Sequence, residues 1–123
     1  MKAGGWKLEK VLILISSAPY GTAAMVEGYR YAIGMASLEV DTTVVLLDDG
    51  VWAVYPEQKP AALQMRSLGE AFGSIEDMGV KLLVVWESLA ERGIPADKIL
   101  AGQVVDLAGL GQVLAGTDGI IQF

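Results

Sequence analysis

The polar and aromatic side chains that could do chemistry fall in three short segments, Ser16–Gly21, Asp48–Tyr55 and Trp86–Ser88. Each segment follows an apolar run that is typical of a buried strand. Ligands bind at the carboxyl ends of parallel strands, so we expect the three segments to meet at one edge of a sheet. The candidate ligand-binding or interface residues there are Ser17, Tyr20, Gly21, Asp49, Gly50, Trp52, Tyr55, Trp86 and Glu87.

The 123 residues include no cysteine and no histidine. A disulfide, a thiolate nucleophile, a Cys or His zinc site and a catalytic triad that uses imidazole are therefore excluded. The acids, bases and nucleophiles that remain are Asp, Glu, Ser, Tyr and Lys. We predict that the protein is not an enzyme, that it has no catalytic residue or metal site, and that it needs no cofactor.

Each polar segment has a structural interpretation beside its chemical one. Ser17–Thr22 could hold an anion on backbone N–H groups, but it lacks the spacing of a phosphate loop, which favours a turn that caps a helix. Asp48-Asp49-Gly50 could ligate a cation, but adjacent carboxylates of an extended segment diverge and Asp-Gly is a common turn pair. Glu87 could act as a general acid or base, but a carboxylate is also favoured at a helix N-terminus, and we favour that role.

Three large aromatic residues, Trp52, Tyr55 and Trp86, lie near this edge. They could line a ligand pocket, yet aromatic anchors are also what protein interfaces bury. Because no catalytic group accompanies them, we rank an interface above a pocket. We predict an oligomer in which the strand ends and the segment from Trp52 to Tyr55 contribute to the contact.

Strands and helices alternate along the sequence. The pattern predicts a three-layer α/β/α sandwich with a mainly parallel five-stranded sheet. The predicted strands are residues 10–16, 42–47, 80–86, 100–105 and 119–123. The predicted helices are residues 22–37, capped by Thr22, 60–72, 87–92 and 106–115, capped by Asp106. Residues 51–55 fit either a short helix or a loop, and the pattern leaves the order of the strands open.

Composition limits the class of protein. With 53% hydrophobic and 20% charged residues, the chain can bury a core, which excludes disorder as its main state. Nine basic and fifteen acidic residues give a net charge of −6, which disfavours direct nucleic-acid binding. The apolar run at 11–15 is too short to span a membrane. We expect a cytoplasmic protein with a loose leader at 1–9 and a single domain at 10–123.

Four stretches of the sequence resemble the DsrE/DsrF-like superfamily. They are KVLILISSAPYGTAAMVEGYRYAIGMAS (10–37), LLDDGVWAVYPEQKPAAL (46–63), VVWESLAERGI (84–94) and VVDLAGLGQVLAGTDGIIQF (104–123). Five short motifs in order are most similar to the DsrF/TusC branch of its sulfur-relay proteins. These motifs are Pro19-x-Gly21, Asp49-Gly50-Val51, Gln58-x-Pro60, Glu87–Gly93 and the final Gly-Ile-Ile-x-Phe.

The resemblance implies a five-stranded α/β/α fold, assembly into oligomers and the handling of persulfide sulfur, for tRNA thiolation or sulfur oxidation. In relay members of the family a cysteine ends the third strand, before a helix that finishes in Arg-Gly. Counting back from Arg92 places that position at Val85 or Trp86. This sequence departs from the family there, because it has no thiol to carry sulfur.

Two functions from different classes follow. The first is a noncatalytic scaffold or partner subunit that assembles with itself or with DsrE-like or DsrH-like chains that retain the cysteine. The second is a stand-alone small-molecule binding domain that uses the strand-end cleft around Ser17, Tyr20, Asp49, Trp52 and Trp86.

Overall fold

Five parallel strands form the centre of the structure, a computed structural model that describes residues 9–19, 23–55 and 70–123. The strands are Lys10–Ile15 (β1), Asp41–Leu46 (β2), Lys81–Val85 (β3), Gln103–Val105 (β4) and Gly119–Gln122 (β5). They lie in the order β4-β3-β2-β1-β5, and each neighbouring pair is parallel. The predicted α/β class with a five-stranded parallel sheet is confirmed.

The central strands are covered on both faces. Successive side chains of a strand point to opposite sides of the sheet. Leu12 and Ile13 of β1 are nevertheless both fully buried, as are Val44 and Val45 of β2. Each face of the sheet meets a layer of helices. Strands covered in this way consist of apolar runs and do not alternate between apolar and polar residues.

The helices form the two outer layers. They are α1 (Ala24–Ser37), a 3₁₀ helix (Asp48–Val54), a helical segment described over 70–75, a 3₁₀ turn (Glu76–Met78), α2 (Trp86–Glu91), a 3₁₀ turn (Ala96–Lys98) and α3 (Leu107–Ala115). In the described ranges, no helix is both long enough and apolar enough to cross a bilayer.

Two hydrophobic cores flank the sheet, and they differ in size. The larger one lies under α1, the first 3₁₀ helix, the segment 70–75 and α2, and it contains Met25, Val51, Phe72 and Leu89. The smaller one lies under α3, where Leu110 packs against side chains of β1, β2 and β3. The difference follows from topology. The chain advances from β1 to β4 in one direction and returns only once, through α3, to β5.

The return brings the two ends of the described chain together. β5 pairs with β1 in the register Val11 to Gly119. The Asp118 carboxylate accepts hydrogen bonds from the backbone N–H groups of Glu9 and Lys10, at 3.0 and 2.9 Å. A contact between residues 109 positions apart thus fixes where β1 begins.

Some predicted boundaries are wrong. β4 spans only Gln103–Val105, because Gly102 has φ +93° and Leu100 N–H donates to Val54 of the 3₁₀ helix instead of to a strand. Trp86 is the first residue of α2, not the last of a strand. Ala23 precedes α1 without a side-chain cap, while Thr22 and residues 60–69 lie outside the described residues. Helical structure continues past 72 to 75.

Candidate functional site

The carboxyl ends of β1, β2 and β3 carry the predicted segments at one edge of the sheet, as parallel pairing requires. Ser17 is partly buried after β1. Asp49 and Gly50 lie in the 3₁₀ helix that follows β2, and Glu87 lies in α2, directly after β3. The predicted site residues Tyr20 and Gly21 lie outside the described residues.

Gly50 lets the turn after β2 cross the end of β1. Its N–H donates to the Leu47 carbonyl at 2.9 Å, and the Leu47 N–H donates to the Ile15 carbonyl at 3.1 Å. A Cβ atom built on Gly50 would overlap the Ile15 carbonyl oxygen and lie 3.0 Å from the carbonyl carbon. Both are backbone atoms in a sheet, so a side chain at position 50 has no room.

Ser88 of α2 and Arg92, which directly follows that helix, hold the turn after β2. The buried Ser88 hydroxyl, whose residue is 4% exposed, accepts a hydrogen bond from Asp48 N–H at 2.8 Å. Asp48 itself has φ +49°, in the left-handed region that Asp tolerates better than most residues. Arg92 donates from Nε and Nη2 to Asp49 Oδ1, both at 3.1 Å, and from Nη1 to the Ser88 carbonyl at 3.2 Å. This cluster joins α2 to the first 3₁₀ helix.

Replacing Ser88 by alanine is expected to lower the free energy of unfolding by about 1–3 kcal/mol, because the Asp48 N–H loses its buried acceptor. Urea denaturation measures the change. Ser74→Ala is the matched control, because the exposed Ser74 hydroxyl only donates to a carbonyl of its own helix. Equal stability of the two variants would contradict the role given to Ser88.

Glu87 and Asp106 occupy the N-terminus of α3. Both carboxylate oxygens of Glu87 accept from Leu107 N–H, at 3.1 and 3.2 Å, and Asp106 caps the helix by accepting from Gly109 N–H at 2.7 Å. Glu87 thus has the helix-terminus role that we favoured, although the helix it caps is α3 and not its own. The cap at Asp106 is confirmed.

The aromatic residues separate into two environments. Trp52 and Tyr55 are partly buried against the larger core, with their rings edge to face at a centroid distance of 5.1 Å. Residues 51–54, left open between helix and loop, belong to the 3₁₀ helix. Trp86 is 50% exposed. The interface role of the segment from Trp52 to Tyr55 stays a prediction, and polar substitutions there would also disturb the core.

Sequence reasoning missed the roles of Ser88, Arg92 and Leu107. Arg92, which follows the last residue of α2, bonds Asp49, which lies 43 positions away. In the described part of the chain, no group of three or more Asp and Glu side chains is placed to hold a metal ion. The polar side chains at this edge therefore join the first 3₁₀ helix, α2 and α3 to one another, while the Trp86 indole stays half exposed.

A cavity of about 220 Å³ lies at the opposite edge, beside the amino ends of the strands. It is lined by Lys10, Asp41, Thr43, Lys81 and residues of the last turn of α3. None of the predicted site residues contributes to it.

A profile of the DsrE/DsrF-like family matches residues 9–123. The chain belongs to the DsrE/DsrF-like family. The predicted resemblance is thereby confirmed, and the match spans all five strands.

The similar curated proteins are named TusC. The TusC homolog of Pseudomonas aeruginosa is 29% identical over 115 residues, which cover 92% of this chain and 97% of that protein. Protein TusC of Escherichia coli is 29% identical over 119 residues, which cover 94% of this chain and 100% of that protein. These full-length matches agree with the predicted DsrF/TusC branch.

Two solved structures share the fold. The ychN protein of Escherichia coli superposes with a TM-score of 0.72 at 25% identity, over 94% of this chain and 100% of that one. The protein MTH1491 of Methanobacterium thermoautotrophicum gives a TM-score of 0.70 at 19% identity, over 93% and 98% of the two chains. At that identity the second comparison concerns the fold alone.

Proposed function

We propose that this chain is a noncatalytic subunit of a sulfur-relay assembly, in which it supports a cysteine-bearing DsrE-like partner. The observation that carries the proposal is Trp86 at the end of β3. The resemblance puts the cysteine of the relay members at Val85 or Trp86, and here a half-exposed indole begins α2.

The end of β3 and the Arg92-Gly93 pair both support this choice of position for the relay cysteine. β3 ends at Val85, and α2 runs for six residues from Trp86 before Arg92 and Gly93 end it, with Gly93 at φ +67°. The helix that finishes in Arg-Gly thus starts directly after the strand, as in the relay members. Whether Val85 or Trp86 is aligned with the relay cysteine, the side chain cannot hold a sulfane sulfur, because only a thiolate attacks and carries it.

The other polar groups of the edge support the same conclusion. The Ser88 hydroxyl receives the Asp48 N–H, Arg92 pairs with Asp49, and Glu87 receives the Leu107 N–H. A nucleophile needs an adjacent base that activates it. These side chains instead join the first 3₁₀ helix, α2 and α3, so each has a structural role within the chain. The names of the TusC relatives, matched along the whole chain, support a place in the same kind of assembly.

The test is mass spectrometry after incubation with a persulfide donor. We expect no added sulfur of about 32 Da on this chain, because it has no thiol. In the same reaction a cysteine-bearing DsrE-like chain should gain sulfur, and the two chains should elute as one complex in size-exclusion chromatography.

The matched control is Trp86→Cys, which places a thiol at the N-terminus of α2, where its pKa would be lowered. This variant should gain the sulfur that the unmodified chain does not. A stable sulfur adduct on the unmodified chain, or failure to form a complex with the cysteine-bearing chain, would contradict the proposal.

A further inference from the structure

We infer that Trp86, Leu107, Asp48, Asp49 and Asp106 form a docking surface for a protein partner with an apolar pocket and a rim of Lys and Arg. We call these five residues the Trp86 surface. The inference rests on the proposed function, since it states which face of the subunit receives its partner and what chemistry the partner presents.

The centre of this surface is apolar and has no cover. Trp86 is 50% exposed and Leu107 is 53% exposed, and neither packs in the two cores. Their backbones start from neighbouring strand ends, because Val85 pairs with Val105 and the Glu87 carboxylate is 3.1 Å from Leu107 N. Exposed apolar groups that lie together mark interaction sites, and tryptophan is the residue most enriched among those that dominate binding.

The starts of α2 and α3, which carry Trp86 and Leu107, are held in place by hydrogen bonds within the chain itself. Glu87 ties the start of α2 to the start of α3, and Ser88 ties α2 to the turn at Asp48. The pair of Arg92 and Asp49 adds a second bond to the same turn. Because these hydrogen bonds already order the surface, binding costs less conformational entropy than it would on a mobile loop.

The rim of the Trp86 surface is acidic. Asp48 is exposed at the start of the first 3₁₀ helix, Asp106 is exposed directly after β4, and the Asp49 side chain is 58% exposed. Among the first 3₁₀ helix, α2 with the residue that ends it, and α3, the cation is Arg92, and it is engaged with Asp49. Charge complementarity therefore specifies a basic rim on the partner.

The same charge argues against other occupants. A second copy of this chain would bring its own carboxylates against these, and juxtaposed like charges disfavour association. A phosphate backbone or an anionic lipid surface would be repelled. A basic protein surface fits this charge, and the partner that we infer is the cysteine-bearing chain of the proposed assembly.

The experiment is calorimetric titration of this chain with the cysteine-bearing DsrE-like chain. Trp86→Ala should weaken binding by tenfold to a hundredfold, on the order seen for central aromatic anchors. Leu38→Ala, at a more exposed leucine beyond the end of α1, is the control and should leave binding unchanged. Thermal melts of each variant confirm that it folds.

The charge of the rim is tested separately. Asp48→Asn keeps a residue that tolerates φ +49° and removes the carboxylate. It should weaken binding several-fold. The affinity of this variant should also fall less steeply than that of the unmodified chain between about 50 and 500 mM salt. Glu39→Gln is the matched control, because Glu39 is an exposed carboxylate at φ +61° before the amino end of β2.

Hydrogen exchange on the unmodified complex provides a measurement that depends on no variant. Protection should appear at 86–91 and 107–110. A complex that forms with unchanged affinity for Trp86→Ala, or with protection only elsewhere, overturns the inference and leaves the proposed function standing. Failure of the unmodified chains to bind overturns both.

Discussion

Gly50→Ala is expected to lower the free energy of unfolding by about 3 kcal/mol, at the upper end of the usual cost of overpacking. The added methyl group would overlap the carbonyl oxygen of Ile15. The Ile15 carbonyl cannot move away without a large cost in free energy. Ile15 is held in the sheet by its pairing with Leu46, and its carbonyl accepts Leu47 N–H. Chemical denaturation followed by circular dichroism measures the loss.

Gly34→Ala is the matched control for this prediction. Gly34 lies within α1, and a Cβ atom there would meet nothing within 4 Å. Because glycine is a poor helix former, alanine should raise the free energy of unfolding by about 0.5–1 kcal/mol. If both alanine variants shifted stability in the same direction, the close approach at Gly50 would not be the cause.

Phe72→Ala is expected to cost about 3–5 kcal/mol, the range for removing a buried aromatic ring. Phe72 is fully buried in the larger core, and its ring meets Tyr29 of α1 edge to face at 5.2 Å. The substitution would leave a cavity between the segment 70–75 and α1. Calorimetry should report a large fall in melting temperature.

Met78→Ala serves as its control, because Met78 is a large apolar residue of the adjacent 3₁₀ turn that is half exposed. Substitutions at such surface positions change stability by about 0.5 kcal/mol or less. A Phe72→Ala variant as stable as Met78→Ala would mean that the larger core does not depend on this contact.

Sequence patterns predicted the strands whose stability comes from burial. β1, β2 and β3 each begin and end within one residue of their predicted bounds. The apolar run itself predicts each strand, because such runs are typical of strands that are buried on both faces. β4 was predicted three residues too long, because Leu100 pairs with the 3₁₀ helix and Gly102 turns the chain. Both events depend on partners distant in sequence, which a local pattern does not contain.

The contacts of the candidate site likewise fall into local ones, which the sequence predicts, and distant ones, which it does not. The cap at Asp106 acts within one helical turn and could be predicted from its position. The bonds from Arg92 to Asp49 and from Leu107 to Glu87 join residues 43 and 20 positions apart. Their existence follows from the order of β2, β3 and β4 in the sheet, which periodicity does not reveal. The exposure of Trp86 likewise depends on where α2 starts.

The pairing of β1 with β5 gives the chain a late step in folding. One of the two neighbours of β1 is β5, which consists of Gly119–Gln122 and lies far along the chain. Contacts of such large sequence separation form slowly, because closing the long loop costs entropy before any pairing is gained. Until then β1 presents an open, apolar strand edge to other nascent chains, a known route to aggregation. Pairing with β5, and the Asp118 carboxylate that accepts the N–H groups of Glu9 and Lys10, cover that edge in the folded chain.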